Sequence, residues 1–336
     1  MVKVICIGDP HFQVNNIQEV EMFMTKLEEL IISELPIDFI VCLGDILHTH
    51  EKLHTTPLNK AYEFIHMLRK HAFTYVLVGN HDMISERQFL NDNHWMNGMK
   101  EWNNVKIVDR VFSNYIENQL FVFAPYVSAG RFEEALNTLS EIDWKESEII
   151  FAHQEFAGCK MGAIISVEGD NWPVTYPQIV SGHIHSRQIP QNNIYYTGSA
   201  LQHAFGESEK NIIAILNTTG DKNYTKTEID LGMPRKKTVY MNVEEIVSFE
   251  GHSKIDSDKL RISVSGDLEK FKALKKSSKY KELVDKGVKV VFKKDKLPKP
   301  KLENTTSVNF RDILQEIIQR KNDSFLFSIY DKIMNA

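Results

Sequence analysis

Five short apolar runs in the first 185 residues stop on polar clusters of one kind, and this recurrence constrains the fold most. Val2–Ile7 runs into "GDPH", Phe39–Leu43 into "GDILH", Tyr75–Val78 into "GNHD", Ile149–Ala152 into "HQEF" and Gln178–Val180 into "SGHIH". Longer helical patterns lie between the early runs. Ile17–Glu34 puts Val20, Phe23, Met24, Leu27, Leu30 and Ile31 on one stripe, and Leu58–Lys70 reads as a second helix. Strand and helix in alternation predict an α/β fold. Lys106–Val108, Leu120–Phe123, Ile194–Tyr196 and Ile212–Leu216 read as further strands, with more antiparallel hairpins in the second half. Active sites in such sheets lie beyond the carboxyl ends of strands, so five ends bearing Asp, Asn or His are expected to converge.

The residue types at those ends point to metal chemistry. In "GHIH" the extended backbone turns His183 and His185 to the same side, while Ile184 turns back to the core. Six of the 13 histidines fall in these loops: His11, His48, His81, His153, His183 and His185. The other seven, His203 and His50 among them, are assigned to surface or packing roles. Carboxylates, imidazoles and one side-chain amide, without thiolates, suit Mn²⁺, Fe or Zn²⁺ at a catalytic rather than a structural site. Two cations about 3.5–4 Å apart need a shared oxygen ligand, and Asp45 is the expected bridge. Asp9, His11 and His185 complete one site, and Asn80, His153 and His183 the other. His81 is free to stabilise a transition state or protonate a leaving alkoxide. Asp82 is the expected orienter of a neighbouring imidazole, and His48 a candidate for positioning substrate.

The charge is divided unevenly. Residues 1–231 carry 17 Lys and Arg against 30 Asp and Glu, whereas residues 232–301 carry 19 against 10. An acidic body with a basic attachment suits a cation-binding centre beside a surface that meets a polyanion, although a solvated lysine-rich helix accounts for much of the same pattern. The attachment, 232–293, reads as a βαβ-like unit: strands at Val239–Val243, Lys259–Val264 and Val288–Phe292, and one helix at Asp267–Lys286. Residues 294–306 read as a linker, and 307–336 as two short amphipathic helices that pack on the parent domain or dock on a partner. Cys6 and Cys42 sit inside strand patterns as small buried hydrophobes, which implies a reducing compartment, the cytoplasm (the host's, for a viral chain). No apolar run approaches the length of a membrane span.

The ordered set D-x-H (Asp9, His11), G-D-x-x-H (Asp45, His48), G-N-H-D (Asn80–Asp82), His153 and G-H-x-H (His183, His185) resembles the calcineurin-like metallophosphoesterases. That resemblance implies a four-layer αββα sandwich, two divalent metal ions, often Mn²⁺ in nuclease members, and hydrolysis of phosphate esters. His48 and the stretch "YYTGSALQHAFGESEKN" (195–211) are similar to the SbcD branch of DNA repair and recombination nucleases, which includes phage recombination endonuclease subunits. The branch implies exonuclease and endonuclease activity on DNA. It also implies a DNA-binding capping domain at 232–293 and a C-terminal segment that binds an SbcC-type coiled-coil ATPase. Its members commonly form a homodimer within a heterotetramer. Many members have a glycine after the first metal motif, where this chain reads "DPHFQV". Two other readings stay open: a phosphatase or small-molecule phosphodiesterase, and a non-catalytic scaffold for the ATPase.

Overall fold

A computed structural model of the chain describes residues 1–50, 52–249 and 259–293, with residues 318, 321, 325, 326 and 328–330 helical near the C-terminus. The expected linker at 294–306 lies outside the described residues, as does most of 307–336.

Two six-stranded sheets form the body. The first contains β1 (Val2–Ile7), β2 (Phe39–Cys42), β3 (Phe73–Leu77) and β4 (Val105–Val108), all parallel. The second contains β5 (Phe112–Ile116), β6 (Gln119–Phe123), β7 (Ile149–His153), β10 (Gln178–Gly182), β11 (Gln188–Gln191) and β12 (Ile194–Tyr196). Between β7 and β10 the chain makes a hairpin of two-residue strands, β8 (Lys160–Met161) and β9 (Ile164–Ile165). In the second sheet β6, β7, β10 and β12 are parallel. Returning antiparallel strands β13 (Ile213–Thr218) and β14 (Tyr224–Ile229) finish the first sheet beside β1.

The two-residue side-chain period of the strands sorts the layers. Ile5 and Ile7 of β1 face the helices α1 (Ile17–Glu34) and α2 (Thr55–His71), where they meet Val20, Phe23, Leu27, Phe64 and Leu68. Val4 and Cys6 face the opposite way, into a core between the sheets. There Phe39, Tyr75, Phe121, Phe123 and Phe151 pack together, and the Tyr75 and Phe123 rings stack 3.8 Å apart. Strands buried on both faces read as continuous apolar runs, which is why the central ones are visible in the sequence. All three cysteines are buried and free. The fourth layer differs from an ordinary helical one. The second sheet's outer face is covered by α3 (Phe132–Leu136), one and a half turns long, and by the aromatic rings of Trp144, Phe156 and Trp172.

The basic attachment forms a three-stranded parallel sheet, β15 (Lys236–Asn242), β16 (Lys259–Ser265) and β17 (Lys289–Phe292). The single helix expected over Asp267–Lys286 is two: α4 (Leu268–Leu274) and α5 (Ser278–Asp285). Ser277 interrupts it, its hydroxyl accepting from the Tyr280 amide at 3.2 Å as the cap of α5. The break lets Phe271, Leu274 and Leu283 all reach one small core. Strands β5, β11 and β14 had no apolar signal because each is a sheet edge with half-exposed residues. Among the described residues no helix is long and apolar enough to cross a membrane.

Past β4, Asp109 accepts from Lys100 and, at 3.2 Å, from His94, closing the 92–101 loop onto the sheet. Burial alone would raise its carboxyl pKa, but these two bonds outweigh burial and lower it to about 2. The stabilisation is therefore complete above the unfolded carboxyl value and is lost as pH falls through the folded one. Asp109→Asn should cost about 1 kcal/mol at pH 7, after solvent screening, and almost nothing at pH 2. Urea titrations at the two pH values check this, and an equal loss at both would refute it.

Candidate metal centre

The parallel strands β1, β2 and β3 of one sheet and β7 and β10 of the other end side by side, and their loops meet. Asp9, Asp45 and His153 are fully buried or nearly so. The Nε2 atoms of His11 and His185 face each other at 3.0 Å. Asp45 Oδ2 lies 3.6 Å from His11 Nε2 and 3.4 Å from His153 Nε2, between the two halves of the cluster. Asn80 Oδ1 lies 3.0 Å from His153 Nε2 and 2.9 Å from His183 Nδ1. The donor atoms of Asp9, His11 and Asp45 all fall within 4.8 Å of one another, as do those of Asp45, His153 and His183. Asp45 is common to both groups.

The local backbone explains the glycines and the unusual loops. Asp9, His11, Asp45 and His183 have φ of 37°, 45°, 50° and 77°, in the left-handed region that side chains other than glycine seldom adopt, so the extended backbone expected through "GHIH" ends at Gly182 and His183 reaches the centre from a bend instead. Four such residues at one point store strain that the surrounding packing must hold. Gly44 has φ +101°, and a Cβ there would lie 2.5 Å from His153 Nδ1. A Cβ on Gly79 would overlap the Asp45 carboxylate, and one on Gly182 would lie 2.6 Å from the Leu43 carbonyl. The first loop needs no further glycine. Phe12 is buried against Phe64, its amide donates to Ile46 at 2.6 Å, and Gln13 is extended at φ −148°.

Hydrogen bonds fix the ring orientations. His153 donates from Nδ1 to the Leu43 carbonyl at 2.6 Å, leaving Nε2 toward Asp45 and Asn80. Asp9 Oδ1 accepts from the His183 amide at 2.8 Å, while Asp9 Oδ2 is buried with no hydrogen-bond partner among the described residues. An orphaned buried carboxylate oxygen is costly, and a divalent cation is what this donor set fits. Burial raises the Asp9 carboxyl to about 6. Burial would also raise Asp45, but His153 and His11 hold it well below the usual carboxylate range. Burial would lower His153, but the Asp45 charge and hydrogen bond raise it to about 9. Burial keeps His11, His48, His81 and His183 below the ordinary imidazole value, so their lone pairs are available to a cation.

His81 stands beside the cluster. Its amide donates to Asp45 Oδ1 at 2.8 Å and its Nδ1 to the His48 carbonyl at 2.7 Å, leaving Nε2 unengaged by either bond. His48 stacks on His81 with centroids 5.5 Å apart, and its Nδ1 lies 3.4 Å from His11 Nδ1. Asp82 differs from expectation. Its carboxylate accepts from the Leu47 amide, the Gly79 amide and the Trp95 indole at 3.3, 3.1 and 3.0 Å, so it ties two loops together instead of orienting an imidazole.

Sequence reasoning missed several neighbours. His203 donates from Nε2 to the Asp9 carbonyl at 2.8 Å, and Glu207 lies 3.2 Å from His185 Nδ1. The His50 ring stacks on His81 at 4.4 Å, and the Tyr126 ring lies 5.5 Å from His183. His203 and Glu207 belong to the stretch at 195–211, which was the available signal; His50 and Tyr126 gave none.

Comparison with known proteins follows the same residues. The family profile described as calcineurin-like phosphoesterase matches residues 2–187. The chain is 44% identical over 334 residues to a protein of Invertebrate iridescent virus 3 whose name calls it a phosphoesterase, covering 98% of this chain and 95% of that one. A similarly named protein of Invertebrate iridescent virus 6 is 47% identical over 278 residues, covering 82% and 98%. Among solved structures, purple acid phosphatase PPD1 of yellow lupin aligns over 68% of this chain and 51% of that one, at 13% identity. Its TM-score of 0.40 carries no functional weight.

Proposed function

Because this chain belongs to the calcineurin-like phosphoesterase family, we propose that it hydrolyses the phosphodiester bonds of DNA, as the nuclease subunit of an SbcCD-like assembly. Phosphoester hydrolysis at a dinuclear metal site comes with the family. The DNA substrate and Mn²⁺ as the native ion are our own reading.

One observation carries the choice of substrate. The basic attachment is fastened to the loop that borders the candidate metal centre. Lys236 donates from its amide to Gln202 Oε1 at 2.6 Å and from Nζ to the Gln202 carbonyl, and Arg261 lies 4.9 Å over the Phe205 ring. Lys275, Lys276, Lys281 and Lys289 are exposed on the attachment, while Lys270 and Lys272 pair with Glu244 and Glu269. A net-positive unit fastened beside a phosphate-cleaving centre favours a polyanion over a small ester, and its phosphate contacts should make binding fall steeply with salt. Association with an SbcC-type ATPase and dimerisation belong to the same reading, and rest on the sequence resemblance.

In this reading Asp9, His11, Asp45 and His185 hold one ion, and Asp45, Asn80, His153 and His183 the other. When bound, the two ions supply Lewis acidity toward phosphate oxygens and a water of lowered pKa. The chain's own part is positional and protonic. His81 keeps Asp45 in place through its amide, and its Nε2, which carries no proton while Nδ1–H is held by the His48 carbonyl, takes up the proton that the attacking water gives off and returns it to the departing alkoxide. The His48 carbonyl holds His81 in the orientation this needs, and the His48 ring borders the substrate. His81→Ala should keep its full metal content and lose turnover on the order of 100-fold; loss of metal in that variant would show the role to be wrong.

The reading is tested by Mn²⁺-dependent cleavage of plasmid, linear duplex and single-stranded DNA, with a nitrophenyl phosphodiester as control. Cleavage of DNA that weakens sharply with added salt is expected. Hydrolysis of the small ester with none of any DNA would leave the phosphatase or small-molecule phosphodiesterase reading standing instead.

A further inference from the structure

The metal-centre reading leaves the Glu207 carboxylate unused. Glu207 approaches His185 Nδ1 with Oε1 at 3.2 Å. Its other oxygen accepts from the backbone amides of His203 and Ala204 at 2.8 and 2.9 Å. Glu207 is thus held from behind by two N–H groups and presents its remaining oxygen to one imidazole. The opposite nitrogen of that imidazole, Nε2, is the atom that faces His11. The same short loop also braces Asp9, through the bond from His203 Nε2 to the Asp9 carbonyl.

We propose that Glu207 is the positioning residue of the His185 side of the centre, accepting the hydrogen bond of Nδ1–H so that the Nε2 lone pair is directed to the ion that Asp9, His11 and Asp45 would also hold. An imidazole has two tautomers, and only the one protonated at Nδ1 offers Nε2 to a cation. A fixed anionic acceptor at Nδ1 selects that tautomer, orients the ring and makes Nε2 a stronger donor. On the other side the Leu43 carbonyl performs this task for His153. The two halves of the centre are therefore braced differently, one by a backbone carbonyl and one by a side chain. Changing the side chain should affect one ion only.

This inference rests on the proposed two-ion centre, and the experiment separates the two. Calorimetric titration of the metal-free full-length protein with MnCl₂ should resolve two binding events in the wild type. Glu207→Ala should weaken one of them about 10–100-fold and leave the other unchanged. Glu207→Gln keeps one acceptor oxygen, for either Nδ1 or the two backbone amides, and should weaken it less than the alanine. Nitrogen-15 spectra of the metal-free protein should show His185 protonated at Nδ1 in the wild type and a tautomer mixture in Glu207→Ala. Unchanged affinity in both variants overturns the proposal. Equal weakening of both events overturns it too, since that is the mark of a collapsed loop. A wild type with no two-ion binding removes the premise, and the proposal with it.

Discussion

Asp45→Asn should leave a folded protein that holds at most one divalent ion per chain, with kcat/KM lowered by about 1,000-fold or more, roughly 4 kcal/mol of transition-state stabilisation. The reason is geometric. Asp45 Oδ2 sits between His11 Nε2 at 3.6 Å and His153 Nε2 at 3.4 Å, and Asp45 is the residue shared by the group with Asp9 and His11 and the group with His153 and His183. Asparagine is nearly isosteric and its oxygen can still accept from the His81 amide, which spares the loop. It lacks the negative charge, and one of its two arms is a donor. Two cations close together cannot both be served by a neutral arm that carries protons. Elemental analysis of metal per chain, together with steady-state hydrolysis of a nitrophenyl phosphodiester, checks both halves. Two ions retained with near-normal turnover would remove Asp45 from the bridging position.

The second large effect comes from a residue with no functional group. Gly44→Ala should destabilise the protein by about 3–5 kcal/mol, combining left-handed backbone strain with overpacking. For a body of this size that is a fall in Tm on the order of 10 °C. At φ +101° a Cβ is disfavoured before any contact is considered. It would also lie 2.5 Å from His153 Nδ1 and 3.0 Å from the Gly79 Cα, in a region with no exposed side to yield. The contact reaches the centre directly, because His153 Nδ1 is the atom that the Leu43 carbonyl holds. Turnover should therefore fall about 100-fold even at temperatures where the variant is folded, since a misplacement of about 1 Å costs that much. Differential scanning calorimetry and kinetics at low temperature test the two effects separately. A normal melting temperature would show that the loop opens without cost.

The central strands and α1 were legible in the sequence because burial on both faces, or on one helical face, leaves a periodic apolar trace. β1 and α1 match their expected bounds, while α2 begins three residues earlier than its apolar residues indicate. The edge strands β5, β11 and β14 left no such trace, and the split between α4 and α5 depended on a single capping hydroxyl. The polar clusters could be recognised because four of the five set a glycine at a close approach beside an Asp, Asn or His, at Gly8, Gly44, Gly79 and Gly182. Asp82 was misread because adjacency in sequence says nothing about where a carboxylate points. It faces two amides and an indole instead.

That five strand ends carry the donors follows from residue type and strand period, which are local properties of the chain. Which donors face one another depends on two sheets packing face to face, and that is set by the fold as a whole. The pairing of Glu207 with His185 and of His203 with Asp9 joins residues 22 and 194 positions apart, and no local period encodes such distances. It arises because the chain crosses the mouth of the sheets once more, after the last recognisable motif, before it returns to β1 through β13.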